Sequence, residues 1–348
     1  MDPLTGAGWV TSPPVGDTLR VRVEEPSAAA GVRRRITALA ERLGFTGDGL
    51  ARVRLAATEA ATNLAKHATR GEMLLRIVRH GGTAALEFVC VDHGPGIADV
   101  PVSRADGYST SGTLGLGLGA IERLADRSGL HSRPRAGTVL YARFHPPGSP
   151  DGPAAPFAGL TLPIDGEQEC GDAYTARPVD GVLYALLCDG LGHGPLAARA
   201  AQAAVRGAHE AAVPSRPADL LDHVHRRMAG TRGGAVAVAA IDPAAGRVRF
   251  AGIGNVAGWI VGPDGRQGMI SVPGIAGTRA ERVREHCYPL PPGAVVVLHS
   301  DGLSGRWALA DQPVPLRRDP LLVAAALLRD AGVRHDDRSV LAVSTSGW

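Results

Sequence analysis

Residues 92–119 of this 348-residue chain read DHGPGIADVPVSRADGYSTSGTLGLGLG, with one glycine cluster at each end. Residues 86–91 have a strand-like alternation, with Leu86, Phe88 and Cys90 on one face and Glu87, Val89 and Val91 on the other, which predicts a strand that ends at Asp92. Residues 115–119 lead into an amphipathic helix that carries Ile121 and Leu124 on its apolar stripe. Glycines ahead of a helix let backbone N–H groups approach a phosphate, and the helix dipole favours its negative charge. A phosphate site is one interpretation, although a single glycine-rich loop is weak evidence.

A second polar motif lies about thirty residues upstream, inside a helical pattern over residues 48–68. Glu59 and Asn63 are four residues apart, so both project from one face of that helix. A carboxylate can deprotonate an attacking hydroxyl, and an amide oxygen can bind Mg²⁺. For this pair alone, a solvated Glu paired with a neighbouring Asn explains the pattern equally well.

The order of these motifs resembles the GHKL ATPase superfamily, and the segment DGYSTSGTLGLGLGAIERLAD is similar to the RsbT-type switch kinases. The resemblance covers roughly residues 18–145. It implies Mg·ATP as cofactor, Glu59 as base, Asn63 on Mg²⁺ and Asp92 on the adenine amine. By the same resemblance the remaining nucleotide-binding residues are Gly94, Gly96, Thr113, Gly115, Gly117 and Gly119.

Periodicity predicts one layer of helices on an antiparallel-rich, mixed sheet for this half. In chain order, the predicted elements are strand 19–24, helix 29–43, helix 48–68, strands 73–78 and 84–92, the helix after residue 119, and strands 131–135 and 138–144.

The length suggests two domains. Residues 145–157 read HPPGSPDGPAAPF, with five prolines and two glycines, which is typical of an extended linker. We therefore expect a loose tail over 1–17, an ATP-binding domain over 18–145, a linker over 146–157 and a second domain over 158–346.

Composition excludes several classes of protein. No apolar run reaches about 18 residues, so we expect no membrane span, and residues 1–17 are too polar for a signal peptide. The net charge is only +3 and no basic run is interleaved with aromatic residues, which argues against nucleic acid as a partner. The four cysteines have no metal-ligand spacing and indicate reduced thiols in the cytoplasm.

The second half carries aspartates in four segments, most of them beside an apolar strand. The segments are residues 169–172 (ECGD), 186–194 (LLCDGLGHG), 295–302 (VVVLHSDG) and 334–339 (RHDDRS). An aspartate before glycine is common in turns, so each segment alone is compatible with a structural role. Three apolar strands flanked in this way favour a shared site.

Electrostatics determines what such a site must contain. Two carboxylates ~4 Å apart repel by about 4 kcal/mol at an effective dielectric near 20. Four of them require cations, and oxygen ligands without a Cys or His cluster favour Mg²⁺ or Mn²⁺ over Zn²⁺. Two divalent ions would balance four carboxylates, bind a phosphate dianion and activate a bridging water.

Residues 158–346 resemble the metal-dependent (PPM) protein phosphatases of the SpoIIE and RsbX branch, through the motifs CGDAY, CDGLGHG, GIGN, HSDG and HDDRSVL. The resemblance implies metal ligation by Asp172, Asp189, Asp301 and the carbonyl of Gly190. Asp336 occupies the last ligand position and Asp337 the position after it, which leaves their roles open. His193 and His335 are expected near the site, GIGN (252–255) is expected to be a tight turn, and no arginine matches the phosphate-binding arginine of eukaryotic relatives.

The expected fold is therefore α+β: a GHKL α/β sandwich followed by a PPM-type αββα sandwich. The expected function is phosphorylation and dephosphorylation of Ser or Thr on a STAS-domain anti-sigma antagonist, with ATP, Mg²⁺ and Mn²⁺ as cofactors. Three alternatives remain: the first domain binds ATP only as a regulatory module, binds a sigma factor directly, or merely recruits the substrate for the phosphatase.

Overall fold

The computed structural model describes residues 8–80, 82–101, 117–149, 155–280, 282–307, 317–333 and 335–346. The chain forms two compact units: residues 1–12 and 154–348 make the larger one, and residues 13–153 the smaller one. The chain therefore begins in the larger unit, forms the smaller unit, and then returns.

The strands in the described ranges are β1 (Val10–Thr11), β2 (Thr18–Arg22), β3 (Glu72–His80), β4 (Thr83–Val91), β5 (Arg127–Ser132), β6 (Thr138–Phe144), β7 (Phe157–Leu162), β8 (Asp172–Val179), β9 (Val182–Gly190), β10 (Gly234–Asp242), β11 (Arg247–Ile253), β12 (Ala257–Gly262), β13 (Gly265–Met269), β14 (His286–Pro289), β15 (Val295–His299) and β16 (Arg338–Ser344). The helices are α1 (Pro26–Arg42), α2 (Gly47–His67), α3 (Gly117–Leu124), α4 (Pro195–Glu210), α5 (Pro217–Arg227) and α6 (Pro320–Ala331).

The smaller unit is a layer of helices on a five-stranded sheet in the order β2-β3-β4-β6-β5. Its strand pairings are antiparallel. The predicted hairpin over residues 73–92 is confirmed, with Met73 opposite Cys90 and Ile77 opposite Leu86. These four side chains are buried under the helices, where four alanines of α2 let the helix approach the sheet closely.

The other face of this sheet carries a buried network of salt bridges. Glu87 lies directly opposite Arg76 on β3 and Arg143 on β6, and accepts hydrogen bonds from both at 2.6–2.8 Å. Burial alone would raise the pKa of Glu87, but the two guanidinium groups hold it below its ordinary value. The carboxylate is therefore charged, and it ties the three central strands together.

The larger unit has two sheets, in the orders β1-β8-β9-β10-β11-β14 and β13-β12-β15-β16-β7. Helices α4 and α5 pack on the first sheet, and α6 packs on β7 and β16 of the second. The two sheets enclose one apolar core, and the first sheet forms another with α4 and α5. This is the expected αββα sandwich, so the two-domain α+β fold class is confirmed.

Strand β10 shows how the sequence specifies these layers. It reads GAVAVAAID, an apolar run without the polar alternation of a half-exposed strand. Val236, Val238 and Ala240 face the helices, whereas Ala237 and Ile241 face the second sheet. A strand covered on both sides needs apolar residues on both faces, and this run supplies them.

The N-terminal segment differs from the expected loose tail of residues 1–17. Strand β1 pairs with the edge strand β8, and Ser12 N–H donates to the Tyr174 carbonyl at 2.9 Å. Trp9 is only 4% exposed and stacks on His209 of α4, with ring centroids 5.2 Å apart. Burial of this indole and two-strand pairing hold residues 8–12 on the larger unit, and Val15–Asp17 form a short 3₁₀ helix beside β2.

The proposed linker over residues 146–157 is partly outside the described residues, which lack 150–154. Its last residue, Phe157, already begins β7 and is buried in the core between the sheets. In the described part of the chain, no helix combines the length and apolar character needed to cross a membrane.

Replacement of Trp9 tests whether the N-terminal segment stabilises the larger unit. We expect Trp9→Ala to lower the free energy of unfolding by about 3 kcal/mol, since a buried aromatic ring is lost. The four tryptophans of the chain (Trp9, Trp259, Trp307 and Trp348) belong to the larger unit, so urea unfolding followed by tryptophan fluorescence reports on that unit alone.

Ile270→Ala is the control, because Ile270 belongs to the same unit as Trp9 but is 59% exposed. This substitution should change the free energy of unfolding by no more than about 0.5 kcal/mol. An unchanged urea midpoint in Trp9→Ala would contradict the docking of residues 8–12 and would support the loose tail expected from the sequence.

Candidate functional site

The first candidate site surrounds Asp92 in the smaller unit. Asp92 follows the last residue of β4, and its side chain is 7% exposed. Its Oδ1 accepts a hydrogen bond from Gly94 N–H at 2.6 Å, and His93 N–H donates to the Thr69 carbonyl at 2.9 Å. These bonds hold the turn after β4 against the C-terminal end of α2.

The glycines of this turn are required by close packing. A Cβ on Gly94 would lie 2.9 Å from the His67 carbonyl oxygen. Gly96 has φ +69°, and a side chain there would overlap the Arg133 carbonyl. Only glycine fits at position 96, and with glycine there the turn keeps a shape that exposes backbone groups.

Glu59 and Asn63 lie on α2, and both are half-buried. Asn63 is one turn before His67, whose carbonyl abuts Gly94, so the two motifs lie at the same end of the helix. Within the described ranges, neither side chain has a hydrogen-bond or ion-pair partner, which disfavours the interpretation of a Glu–Asn surface pair.

The second glycine cluster is only partly described. Helix α3 begins at Gly117 and buries Gly119 and Ile121, as the sequence predicted for this end of the loop. Arg52 of α2 donates to the Leu124 carbonyl at 2.6 Å and so fixes the end of α3 against α2. Thr113 and Gly115 lie outside the described residues.

The second candidate site is formed by aspartates of the larger unit. Asp172 and Asp189 are direct partners across β8 and β9. Asp301 follows β15, and Asp336 precedes β16; these strands pair with His299 opposite Val340, so both residues lie at the same edge of the second sheet. The Asp301 carboxyl interacts electrostatically with the carboxyl groups of Asp189 and Asp336, so acidic groups from the edges of the two sheets lie close together.

Crowding of these carboxyl groups changes their titration. Burial raises the pKa of Asp189 to about 9, and the charges of Asp172 and Asp301 contribute to the increase. Burial also raises the pKa of Asp172 to about 7, although the hydroxyl groups of Ser300 and Ser339 act in the opposite direction. The site therefore disfavours several negative charges at once unless a cation enters it.

The two adjacent aspartates of the last segment have different surroundings. Asp337 is 2% exposed, and its two oxygens accept hydrogen bonds from Ile164 N–H at 2.7 Å and Gly171 N–H at 2.6 Å. Asp336 is half-buried and contacts the carboxyl of Asp301. Asp336 Oδ1 also accepts a hydrogen bond from the adjacent Asp337 N–H at 2.9 Å. Asp337 therefore binds two backbone segments that are distant in sequence, whereas Asp336 makes one local backbone contact and interacts with the Asp301 carboxyl.

Gly190 has no room for a side chain, because a Cβ would overlap the Ala197 carbonyl at the start of α4. Gly190 N–H donates to the Gly171 carbonyl at 3.0 Å, and Gly190 lies opposite Gly234 on β10. The loop that follows Asp189 is therefore packed tightly between β8, β10 and α4.

Two contacts at this site were not anticipated. The Asn255 amide donates to Asp301 Oδ2, so the GIGN segment contributes a polar contact in addition to its turn. His193 Nδ1 lies 3.1 Å from Glu167 Oε1, with both side chains substantially exposed. Asn at the end of GIGN was a visible signal for the first contact, whereas nothing in the sequence marked Glu167. His335 is exposed.

The donor set suits divalent cations. In the described ranges, no three His, Cys, Asp or Glu side chains are already arranged to hold a metal ion. Among the same residues, Asp172 Oδ2 is buried without a hydrogen-bond partner. An orphaned carboxylate oxygen beside three further carboxyl groups fits a hard cation such as Mg²⁺ or Mn²⁺ after small side-chain rotations.

The raised pKa values predict how stability depends on pH without divalent ions. A carboxyl whose pKa is higher in the folded chain stabilises the fold fully below its unfolded value, and this contribution is lost as the pH rises through the folded value. In EDTA, the melting temperature of the larger unit should therefore fall between about pH 4 and pH 9, the interval set by Asp189. Tryptophan fluorescence measures this temperature.

Mg²⁺ should flatten this dependence, since cations offset the repulsion, and Asp189→Asn should reduce it in EDTA. Asp180→Asn, at the exposed turn on the other end of the same hairpin, is the control and should leave the dependence unchanged. A melting temperature that rises over this interval in EDTA would contradict the proposed crowding.

Comparison with known proteins gives two separate matches. Residues 23–144 match the family described as histidine kinase-like ATPase domain, and residues 180–346 match stage II sporulation protein E (SpoIIE). Serine/threonine-protein kinase RsbT of Bacillus subtilis (strain 168) is 38% identical over 104 residues, which cover 30% of this chain and 78% of RsbT.

The second half has its own relatives. Phosphoserine phosphatase RsbX of the same strain is 23% identical over 141 residues, covering 40% of this chain and 70% of RsbX. A solved structure of RsbX in complex with magnesium is 18% identical, with a TM-score of 0.48, over 54% of this chain and 94% of that one. The chain therefore belongs to the RsbT-related histidine kinase-like ATPases, and it joins this RsbT-like domain to a second domain that matches SpoIIE over residues 180–346.

Proposed function

We propose that the larger unit hydrolyses phosphoserine or phosphothreonine on a protein with the help of two divalent ions. The observation that carries this proposal is the gathering of Asp172, Asp189, Asp301 and Asp336 at the edges of two sheets, where burial and mutual repulsion raise the pKa values of the first three. These carboxylates and the Gly190 carbonyl would be the ligands. The match of residues 180–346 to SpoIIE supports the same reaction.

The contacts of Asp336 and Asp337 favour Asp336 as the ligand. Both oxygens of Asp337 already accept backbone hydrogen bonds that hold residues 164 and 171 in place. Asp336 instead reaches Asp301, which in turn contacts Asp189. In this assignment Asp337 positions the turn before Asp172, and the Asn255 amide orients Asp301.

The bound ions would lower the pKa of a bridging water and offset the charge of the phosphate. The carboxylates of the chain would hold the two divalent ions in position and would exclude other ligands from them. His193 follows the metal loop and is held by Glu167 through Nδ1, which leaves Nε2 able to donate a proton to the departing serine oxygen. Oxygen-only ligands suit both Mg²⁺ and Mn²⁺, and we propose that either ion supports hydrolysis.

For the smaller unit we propose transfer of the ATP γ-phosphoryl group to a serine or threonine. Glu59 would take the proton of the attacking hydroxyl, Asn63 would bind Mg²⁺, and Asp92 would accept a hydrogen bond from the adenine amine. Gly94, Gly96, Gly117 and Gly119, with Thr113 and Gly115, would shape the nucleotide pocket and its lid. The position of Asn63 one turn from the packed Asp92–Gly94 turn supports this assignment, as does the 38% identity to RsbT.

We propose that both units act on a STAS-domain regulator, as the resemblance to partner-switching kinases and phosphatases implies, in a pathway that controls a sigma factor. Use of ATP and the free cysteines are consistent with a cytoplasmic location. A phosphoserine carries about −1.5 to −2 charges at pH 7, enough to reverse the binding preference of such a regulator.

The assignment of the adjacent aspartates gives a direct test of the phosphatase. We expect Asp336→Asn to lower Mn²⁺-dependent hydrolysis of a phosphoserine peptide by roughly 10²-fold or more, because metal binding supplies several kcal/mol of transition-state stabilisation. Asp337→Asn should instead lower the free energy of unfolding by about 1–3 kcal/mol, since one backbone N–H then faces an amide donor.

Asp180→Asn controls for the chemical change, because Asp180 is exposed and has φ +49°, which Asn tolerates. It should keep wild-type activity and stability. The assignment would be reversed if Asp336→Asn kept full activity while Asp337→Asn folded stably but lost Mn²⁺-dependent hydrolysis.

The kinase is tested in a chain whose phosphatase is disabled by Asp189→Asn, so that phosphorylated product is retained. We expect Glu59→Ala in this background to reduce phosphoryl transfer to a STAS-domain partner by ~10²–10⁴-fold while ATP still binds, since a general base contributes about this factor. Intact mass of the partner over time measures transfer, and calorimetry measures ATP binding.

Glu41→Ala, at an exposed position of α1, is the matched control and should transfer at the parental rate. Transfer by Glu59→Ala at the parental rate would refute its role as base. If the parental chain binds ATP and the partner but transfers nothing, the smaller unit serves only for recruitment.

A further inference from the structure

Arg232 lies beside the loop that carries the proposed metal ligands. It belongs to the connection between α5 and β10, two residues before Gly234, which is the strand partner of Gly190. Leu191 N–H donates to the Gly233 carbonyl at 2.9 Å, so the two loops continue the β9–β10 pairing beyond the strands. This pairing brings Arg232 to the loop that follows Asp189.

The side chain of Arg232 extends over the backbone of that loop. Its Nη1 lies 3.4 Å from the point that a Cβ on Gly192 would occupy. Gly192 has φ +83° and no side chain, and this leaves space for the guanidinium. Gly192 also borders the carboxylates, because its carbonyl oxygen and Asp337 Oδ2 both lie next to Gly171.

The guanidinium is exposed, and within the described residues no carboxylate or carbonyl lies at hydrogen-bonding or ion-pair distance from it. Two other arginines of this unit are paired: Arg227 on α5 with Glu210, and Arg329 on α6 with Asp330. Arg232 therefore retains all its donors for a ligand from solution.

The backbone that presents Arg232 is fixed on both sides. Thr231 Oγ1 donates to the Met228 carbonyl at 2.7 Å and accepts from Gly233 N–H at 3.0 Å. Gly233 has φ +75° and packs directly on the Ala276 carbonyl. The backbone at Arg232 is therefore already in place when a ligand arrives, and only the side chain must be ordered by binding.

We propose that Arg232 binds the phosphoryl oxygens of the phosphoserine substrate, an inference that rests on the proposed phosphatase function. Four carboxylates balance two divalent ions, so a phosphate dianion in this site has no remaining positive charge to offset it. The planar guanidinium fork matches phosphate oxygens and can form paired, charge-assisted hydrogen bonds. Arg232 comes from a connection between a helix and a strand that carries no family motif, which explains why motif comparison did not find it.

The test compares Arg232→Gln with Arg226→Gln, an equally exposed arginine near the end of α5 whose loss changes the net charge by the same amount. The full-length chain is assayed with Mg²⁺ or Mn²⁺ on p-nitrophenyl phosphate and on a phosphoserine peptide. Inorganic phosphate is used as a product inhibitor, and its binding is also measured directly by calorimetry.

We expect Arg232→Gln to raise KM for both substrates and to weaken phosphate binding, each by roughly tenfold, the effect of one hydrogen bond to a charged group. Arg232→Lys should restore part of the phosphate affinity, and Arg226→Gln should match the wild type. The effect should appear with p-nitrophenyl phosphate as clearly as with the peptide, because both carry the same phosphoryl group.

Three outcomes separate the possibilities. A KM increase confined to the peptide would overturn the proposal and assign Arg232 to an acidic side chain of the substrate. Unchanged KM and phosphate affinity in Arg232→Gln would overturn the proposal while leaving the phosphatase function intact. If the wild type hydrolyses neither substrate, the proposed phosphatase function is wrong. If Arg232→Gln still binds inorganic phosphate more weakly than the wild type does, the anion site at Arg232 stands.

Discussion

Mutual repulsion among four clustered carboxyl groups, of which Asp172 is buried and Asp189 and Asp336 are half-buried, is the constraint on which the larger unit depends. Asp172 and Asp189 come from one sheet and Asp301 and Asp336 from the other, so the edges of both sheets must meet for the site to exist. Burial without cations raises the pKa of Asp189 to about 9, which means that the fold stores an unfavourable interaction there. The apolar cores on both sides of β10 supply the stability that offsets it.

Glycine makes this crowding sterically possible. A side chain on Gly190 would overlap the Ala197 carbonyl, and one on Gly302 would overlap the carbonyl of Asp337. Both glycines directly follow an aspartate of the site, so Asp-Gly here is a requirement for close backbone approach around carboxylates, beyond its ordinary use in turns. Asp337 completes the packing, because its carboxylate binds the backbone just before Asp172 instead of facing the other acidic groups.

The sequence predicted those features that have a local period or motif. The pattern of residues 73–92 predicted the β3–β4 hairpin, and apolar runs predicted β9, β15 and β16. Strand β1 was not predicted, because a two-residue strand is too short to show a periodic pattern. Its partner β8 also lies about 165 residues away in the sequence. Asp336 and Asp337 could not be distinguished, since only the folded chain decides which carboxylate meets the distant N–H groups of Ile164 and Gly171. The contacts of Asn255 and Glu167 depend in the same way on which loops become neighbours.

The two proposed sites also show why their residues differ. ATP arrives with Mg²⁺ already bound to its phosphates, so a nucleotide site needs few carboxylates of its own and relies on backbone N–H groups, one amide and one base. Glu59, Asn63 and the glycines around Asp92 have this composition. A phosphate monoester carries too little charge to bring two divalent ions with it, so the hydrolytic site must capture the ions first, and this requires the carboxylates. Once two ions and four carboxylates cancel, the incoming dianion still needs a positive partner, and Arg232 is an exposed arginine beside the metal loop without an ion-pair partner among the described residues.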